Sequence, residues 1–162
     1  MIADYEADGR DSLLSAPRQY ALGQAHKHIP EMEVVCGLKR QPAFLPMVSD
    51  FYAGMHVTIP LHTALLPGKP TLEQIHAALE AHYGKGGHVR VMPAPANEGM
   101  ISAALLADRD DMEIYVSGND ELVLVHSVFD NLGKGASGAA LQCFNIMVGA
   151  PEGTGLLIGK GE

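Results

Sequence analysis

The sequence predicts the α+β class, and three observations carry that prediction. Residues 54–66 alternate with period two, which marks a strand. Residues 113–116 and 121–128 read as two further strands joined by Ser117-Gly118-Asn119-Asp120, a short link that implies an antiparallel pair. The third is a pair of helices with start and stop signals, one opening at Pro70-Thr71 and one closing at Gly149-Ala150-Pro151.

The elements follow in order. Residues 2–24 are mixed: an acidic segment, a turn at Gly9-Arg10-Asp11, then Ser12 to Leu22. Pro30 suits the first turn of a helix, which Glu31 to Cys36 continue and Gly37 ends. Gln41 to Asp50 holds Pro42 and Pro46 and is expected to be extended. In the strand from Gly54, Met55, Val57, Ile59 and Leu61 share one face, expected to be buried, and His56, Thr58, Pro60 and His62 share the other. Pro60 cannot donate to a ladder, so the strand belongs at an edge or a bulge.

Thr71 and Gln74 form a capping box, and Leu72, Ile75 and Leu79 make the helix's apolar stripe. Gly84, Gly86 and Gly87 stop it. A short strand is expected at His88 to Met92, a turn at Pro93-Ala94-Pro95, and another strand at Ile101 to Leu106. The last helix runs from about Leu132 to Val148, rich in glycine and alanine, so another backbone or a ligand can come close. The tail from Glu152 to Glu162 is glycine-rich and expected to fray.

The chain has 162 residues, 47% hydrophobic and 19% charged, which suits one globular domain with a core, taken as residues 1–162. A net charge of −8 and 6% aromatics argue against a nucleic-acid partner, and no apolar run has membrane-spanning length. Cys36 and Cys143 have no metal-ligand spacing and form no disulfide framework; both are read as buried thiols in a reducing cytoplasm. Asp108, Arg109, Asp110 and Asp111 read as a solvated turn, with Arg109 the candidate phosphate contact. His26-Lys27-His28-Ile29-Pro30-Glu31 is the richest chemical signal: two imidazoles two residues apart, able to exchange protons near neutrality, with a carboxylate close behind. No nucleophile and no phosphate-cradling glycine loop accompany them.

Two stretches point to a family. His26 to Met32 resembles the HKHxPEM signature of N-acetyl-gamma-glutamyl-phosphate reductases, and Phe129-Asp130-Asn131-Leu132-Gly133-Lys134-Gly135-Ala136 onward to Gln142 resembles their closing DNLxKGAxGQAxQ segment. Gly54 to Leu61 resembles the intervening strand of the shorter bacterial branch. The chain departs from the pattern at Ala139, usually Gln, at Cys143, usually Asn, and at Asp108, which stands where many members have Asn before an Arg.

The resemblance implies a mostly antiparallel sheet with helices on one face, like the carboxy-terminal catalytic domain of glyceraldehyde-3-phosphate dehydrogenases. It implies a carboxy-terminal substrate and dimerisation fragment whose partner is its own amino-terminal NADP-binding domain, where the nucleophilic cysteine would lie. NADP is the implied cofactor of the full-length enzyme, with weak binding expected for this fragment. A homodimer or tetramer, an acyl phosphate substrate and a cytoplasmic location are also implied. By the same match His28 is the expected catalytic proton carrier, and His26, Glu31 and Arg109 are expected at the substrate. Asn131 and Gly135 are expected at the cofactor, with helix 132–149 returning to the NADP-binding domain. No metal is expected. The other readings are a non-catalytic dimerising module that binds an acidic metabolite, and a metal-dependent hydrolase using the eight histidines.

Overall fold

A computed structural model describes residues 2–84, 87–93 and 98–159. The chain divides into two compact units, one up to Tyr52 and one from Ala53 onward.

In the first unit, α1 (Ile2–Glu6) precedes a short 3-10 turn, and β1 (Arg18–Gln19) pairs antiparallel with β2 (Met47–Val48). The helix α2 (His28–Cys36) begins two residues before Pro30, which therefore sits in its first turn as the sequence predicts. Gly37 ends it in the left-handed conformation, φ +62°. Ion pairing of Arg10 with Asp50, 2.5 Å, joins the two ends of this unit's sequence.

The second unit is built on a four-stranded sheet in the order β3-β6-β5-β4, where β3 is Met55–His62, β4 Val89–Val91, β5 Met112–Gly118 and β6 Leu122–Phe129. β6 runs antiparallel to both neighbours, with Met55 opposite Phe129 and Met112 opposite Phe129 on its two sides. β4 runs parallel to β5, Arg90 opposite Glu113, so the sheet is mixed and not purely antiparallel. Proline at position 60 is tolerated because β3 is an edge strand. α3 (Leu72–Tyr83) connects β3 to β4 and packs on β4 and β5. Its start is the predicted capping box: Gln74 N–H donates to Thr71 Oγ1 and Thr71 N–H to Gln74 Oε1. Ile114, Val116, Val123 and Val128 are the buried apolar residues of the sheet's two central strands, and Leu106 is buried as well.

The last helix is present but divided. Residues Gly133–Ser137 form a π turn, and α4 (Gly138–Val148) follows, ended by Gly149 at φ +70°. The wider turn follows from Gly135 and Ser137 bonding back five residues, to Asp130 O and Leu132 O.

Several expectations change. The segment 101–106 is a run of turns, not a strand, because its amides bond locally: Leu105 to Ser102 O and Ala107 to Ala104 O. Both sides of β5 are already occupied by β4 and β6, so the sheet offers it no central place. The apolar face of β3 is not buried: Met55 and Val57 are 39% exposed and Ile59 52%. Cys36 and Cys143 are exposed, not buried. Cys36 lies in the solvent-facing last turn of α2 with Val34 and Val35, and on α4 the buried positions are Gly138 and Asn145, which leaves Cys143 outward. The tail does not fray through Gly159. Leu157 exchanges two hydrogen bonds with Asp110, and Asn145 Nδ2 donates to Glu152 O and Thr154 O. The turn predicted at Pro93-Ala94-Pro95, and Gly86 among the helix stops, fall partly or wholly outside the described residues.

Candidate active site

In the first unit a glutamine organises the histidines. Gln24, at φ +52°, donates from Nε2 to Phe44 O and accepts Phe44 N–H at Oε1, while its own carbonyl accepts from Gln41. A non-glycine residue at positive φ is strained, and three hydrogen bonds hold it there. Phe44 is thereby fixed against His26, ring centres 4.9 Å apart, with Tyr20 edge-on at 5.8 Å. His26 is half-buried in this aromatic setting.

His28 opens α2 and is exposed. Its ring stands edge-on to His26 at 4.8 Å, and its backbone N–H donates to His26 Nδ1 at 3.3 Å. That bond assigns the lone pair to Nδ1 and the proton to Nε2 of neutral His26. Ile29, whose N–H bonds His26 O, is buried and anchors the helix start. Glu31 lies exposed in the first turn, where the positive end of the helix favours a carboxylate. The first unit thus brings His26 and His28 together and supports them from one side, while the His28 ring meets solvent.

In the second unit the end of β6 and the residues around 108–111 form a polar knot. Asp130 is 2% exposed and accepts three backbone N–H groups: Leu132 at 2.6 Å, Gly133 at 2.9 Å and Asp108 at 2.6 Å. Burial alone would raise its pKa. The hydrogen bonds from Gly133, Leu132 and Asp108 outweigh burial and hold the carboxyl below its ordinary value. Asp108 has φ +63°, a conformation that Asn and Asp adopt more readily than other side chains, so Asp can stand where relatives of the resembled family carry Asn.

Asn131 uses Oδ1 to accept Gly54 N–H at 2.7 Å, which leaves its Nδ2 donor uncommitted among the described residues. Gly135 lies against Phe129 and the Asp130 carbonyl, so a side chain there would press on both. Asp110 is packed on Gly133 and Gly138, where any Cβ would collide with it. A shallow depression lies here, between Ala53, Asp108, Asp130, Leu132 and Ser137.

Of residues 108–111 only Asp108 is exposed as a solvated turn would be; Arg109 and Asp110 are half-buried and Asp111 is buried. Asp111 is fully buried and receives Arg109 through Nε at 2.9 Å and Nη2 at 2.5 Å, and Arg90 at 3.0 Å. Arg90 also pairs with buried Glu113 at 2.6 Å, which accepts from the Tyr115 hydroxyl at 2.6 Å. Burial first, and then this bond to Glu113, push the Tyr115 phenol well above its ordinary value. Arg109, expected at a phosphate, is therefore mainly committed inside the chain. The signal that could have revealed the network is the placing of Arg90, Asp111 and Glu113 beside apolar strand residues, where only paired charges persist. Asp130 carried a weaker signal, an Asp-Asn pair directly before a glycine-rich helix start. Among the described residues no three His, Cys, Asp or Glu side chains gather as a metal-holding group.

Residues 8–131 match the family model described as semialdehyde dehydrogenase, dimerisation domain. The chain is 43% identical over 153 residues to the N-acetyl-gamma-glutamyl-phosphate reductase of Sinorhizobium fredii, covering 93% of this chain and 50% of that protein. It is 39% identical over 147 residues to the protein of that name from Burkholderia lata, covering 88% of this chain and 47% of the relative. The chain spans about half the length of the curated relatives it matches.

Proposed function

Because the chain belongs to the semialdehyde dehydrogenase dimerisation-domain family, we propose that it is the carboxy-terminal substrate and dimerisation part of an NADP-dependent acyl-phosphate reductase. The reaction is conversion of N-acetyl-glutamyl 5-phosphate to the 5-semialdehyde and phosphate, in arginine biosynthesis. The upstream domain contributes the thiol that displaces phosphate. The reduced cofactor, NADPH, would supply the hydride when bound there.

The observation that carries this reading is the ordered pair His26 and His28 at the start of α2. A thiol attacking an acyl phosphate is more reactive as thiolate, and an oxyanion is formed and consumed as the aldehyde appears. His28, exposed beside the anchored His26, holds and returns the proton. His26, with its Nδ1 engaged by the His28 amide, presents Nε2–H as a donor to substrate. Glu31 supports the helix start. Arg109 has Nε and Nη2 bound to Asp111, so any contact with substrate phosphate runs through Nη1. Asn131 fits the cofactor side because its Nδ2 is an uncommitted donor, held in place by the Gly54 bond. Gly135 gives that region its closeness by lacking a side chain. A cytoplasmic location belongs to the same reading. Among the described residues no helix is long and apolar enough to cross a membrane.

The test is NADPH-linked, phosphate-dependent turnover in the complete enzyme after His28→Ala. General acid–base help is worth about 10²–10⁴-fold, so kcat should fall at least a hundredfold. Near-normal turnover would remove His28 from the mechanism. The second reading, a dimerising module without catalysis, is favoured by the exposed apolar face Met55, Val57 and Ile59 on an edge strand. Absence of reductase turnover in the complete wild-type protein would select it.

A further inference from the structure

The sheet carries a histidine cluster that the proposed reaction does not use. His56 on β3 and His126 on β6 meet across the strand pair, His56 Nε2 3.0 Å from His126 Nδ1. Their ring centres are 5.2 Å apart. Ser117 Oγ on β5 lies 2.8 Å from His126 Nε2, and Thr58 Oγ1 lies 3.1 Å from His126 Nδ1 and 3.3 Å from His56 Nε2. His126 is 8% exposed and His56 half-buried.

Two arrangements of protons satisfy the neutral cluster, with the proton between the rings on either partner, and both end in the same doubly charged state. In one of them, His126 donates Nε2–H to Ser117 and keeps a lone pair on Nδ1, and His56 donates Nε2–H to it. A proton added at His56 Nδ1 leaves the bond between the rings intact but charges a partly desolvated group. A second proton must go to His126 Nδ1. Two N–H groups on two positively charged rings then face each other at 3.0 Å, their shared bond lost, with the Thr58 hydroxyl oxygen left to accept from them at 3.1 and 3.3 Å.

We propose that His56 and His126 form a proton-sensitive latch that holds edge strand β3 on β6 and opens when both rings are charged. The location suits a latch: among the described residues β3 has a strand neighbour on one side only, so its place in the sheet rests on its ladder to β6 and on this cross-strand pair.

The surrounding charges do not override it. β3 packs on β6, and β6 on β3, β5 and the turn at 133–137. On the cluster's face β5 brings Tyr115, directly opposite His126, and Glu113. Glu113 is held by Arg90 of β4 and by the Tyr115 hydroxyl, so its charge is already answered. On β3, His62 lies on the same face, six register pairs beyond His56, and is exposed. Lys134 in the turn is bonded to Gln142.

Burial lowers the pKa of both rings, and His56 lowers that of His126 further. With folded values below the ordinary 6.5, the unfolded chain binds more protons in that range. The stabilisation is complete above about pH 6.5 and is lost as pH falls towards the folded values.

The experiment is amide hydrogen exchange of this chain between pH 7.5 and 4.5, corrected for intrinsic rates. The expected result is that protection of β3 amides falls at least tenfold relative to β5 amides as pH drops, and that His56→Gln abolishes most of that differential. Imidazole NMR of the unaltered chain is the second measurement, with two rings titrating below the ordinary range in coupled steps. Parallel loss of protection in β3 and β5, or an unchanged differential in His56→Gln, overturns the latch. So do two independent titrations at ordinary values.

Discussion

Asp130 offers a quantitative test of the polar knot. Removing its carboxylate by Asp130→Ala strips three backbone N–H groups of their acceptor: Leu132 and Gly133, both on Oδ1, and Asp108 on Oδ2. Bonds to a charged acceptor contribute about 1.5–3 kcal/mol each, and donors left buried without partners add a desolvation cost. Some donors regain water, so the expected loss is about 3–5 kcal/mol rather than the full sum. For a chain of this size that corresponds to a Tm drop of roughly 10 °C. Asp130→Asn is the sharper variant. Its remaining oxygen can keep the Leu132 and Gly133 bonds, but its NH₂ then faces the Asp108 N–H, so it should lose about 2 kcal/mol. The pH dependence carries a sign. The folded pKa lies below the unfolded one, so the carboxylate's contribution is present above the unfolded value of about 4 and disappears as pH falls through the folded value. The stability gap between the parent and Asp130→Asn should therefore narrow below about pH 4. Urea unfolding followed by circular dichroism from pH 7 to pH 3 reads both quantities. An Asp130→Ala midpoint matching the parent's, or a gap that stays constant to pH 3, would refute the reasoning.

Gly54→Ala should cost about 2–4 kcal/mol, because φ is +127° and a Cβ would collide with the Ala103 carbonyl, and urea unfolding will show it. Thr71→Ala should destabilise by about 1 kcal/mol by removing the side-chain half of the capping box of α3, measured the same way. Both Cys36 and Cys143 should react with a thiol reagent in the native chain within the dead time of unfolding controls; if Cys143 reacts only in denaturant, α4 is covered in solution.

Local signals were legible wherever the chemistry is local. The capping box at Thr71 and Gln74, the left-handed ends at Gly37 and Gly149, and the turn after Ser117 each depend on residues within a few positions. Pro60 limited β3 to an edge or a bulge, because a missing N–H cannot serve a central strand, and the fold takes the edge. The pair His26 and His28 was legible for the same reason, since two residues of separation and a helix start bring the rings together. The run 101–106 misled because apolar composition alone does not say whether a sheet has a vacant side.

By itself, then, the sequence determined the class, most element boundaries and the imidazole pair, all set by short-range backbone and capping preferences. Tertiary structure alone decided three things: that β4 joins β5 in parallel, that the apolar side of β3 is left exposed, and that Arg109 and Asp111 are bound into a network with Arg90 instead of lying in solvent. Those outcomes depend on which distant segments meet, as Asp110 meets Leu157 and Asp108 meets Asp130, and no periodicity records such encounters. The physical reason is that a buried charge or an unpaired amide is tolerated only where a partner arrives from elsewhere in the chain.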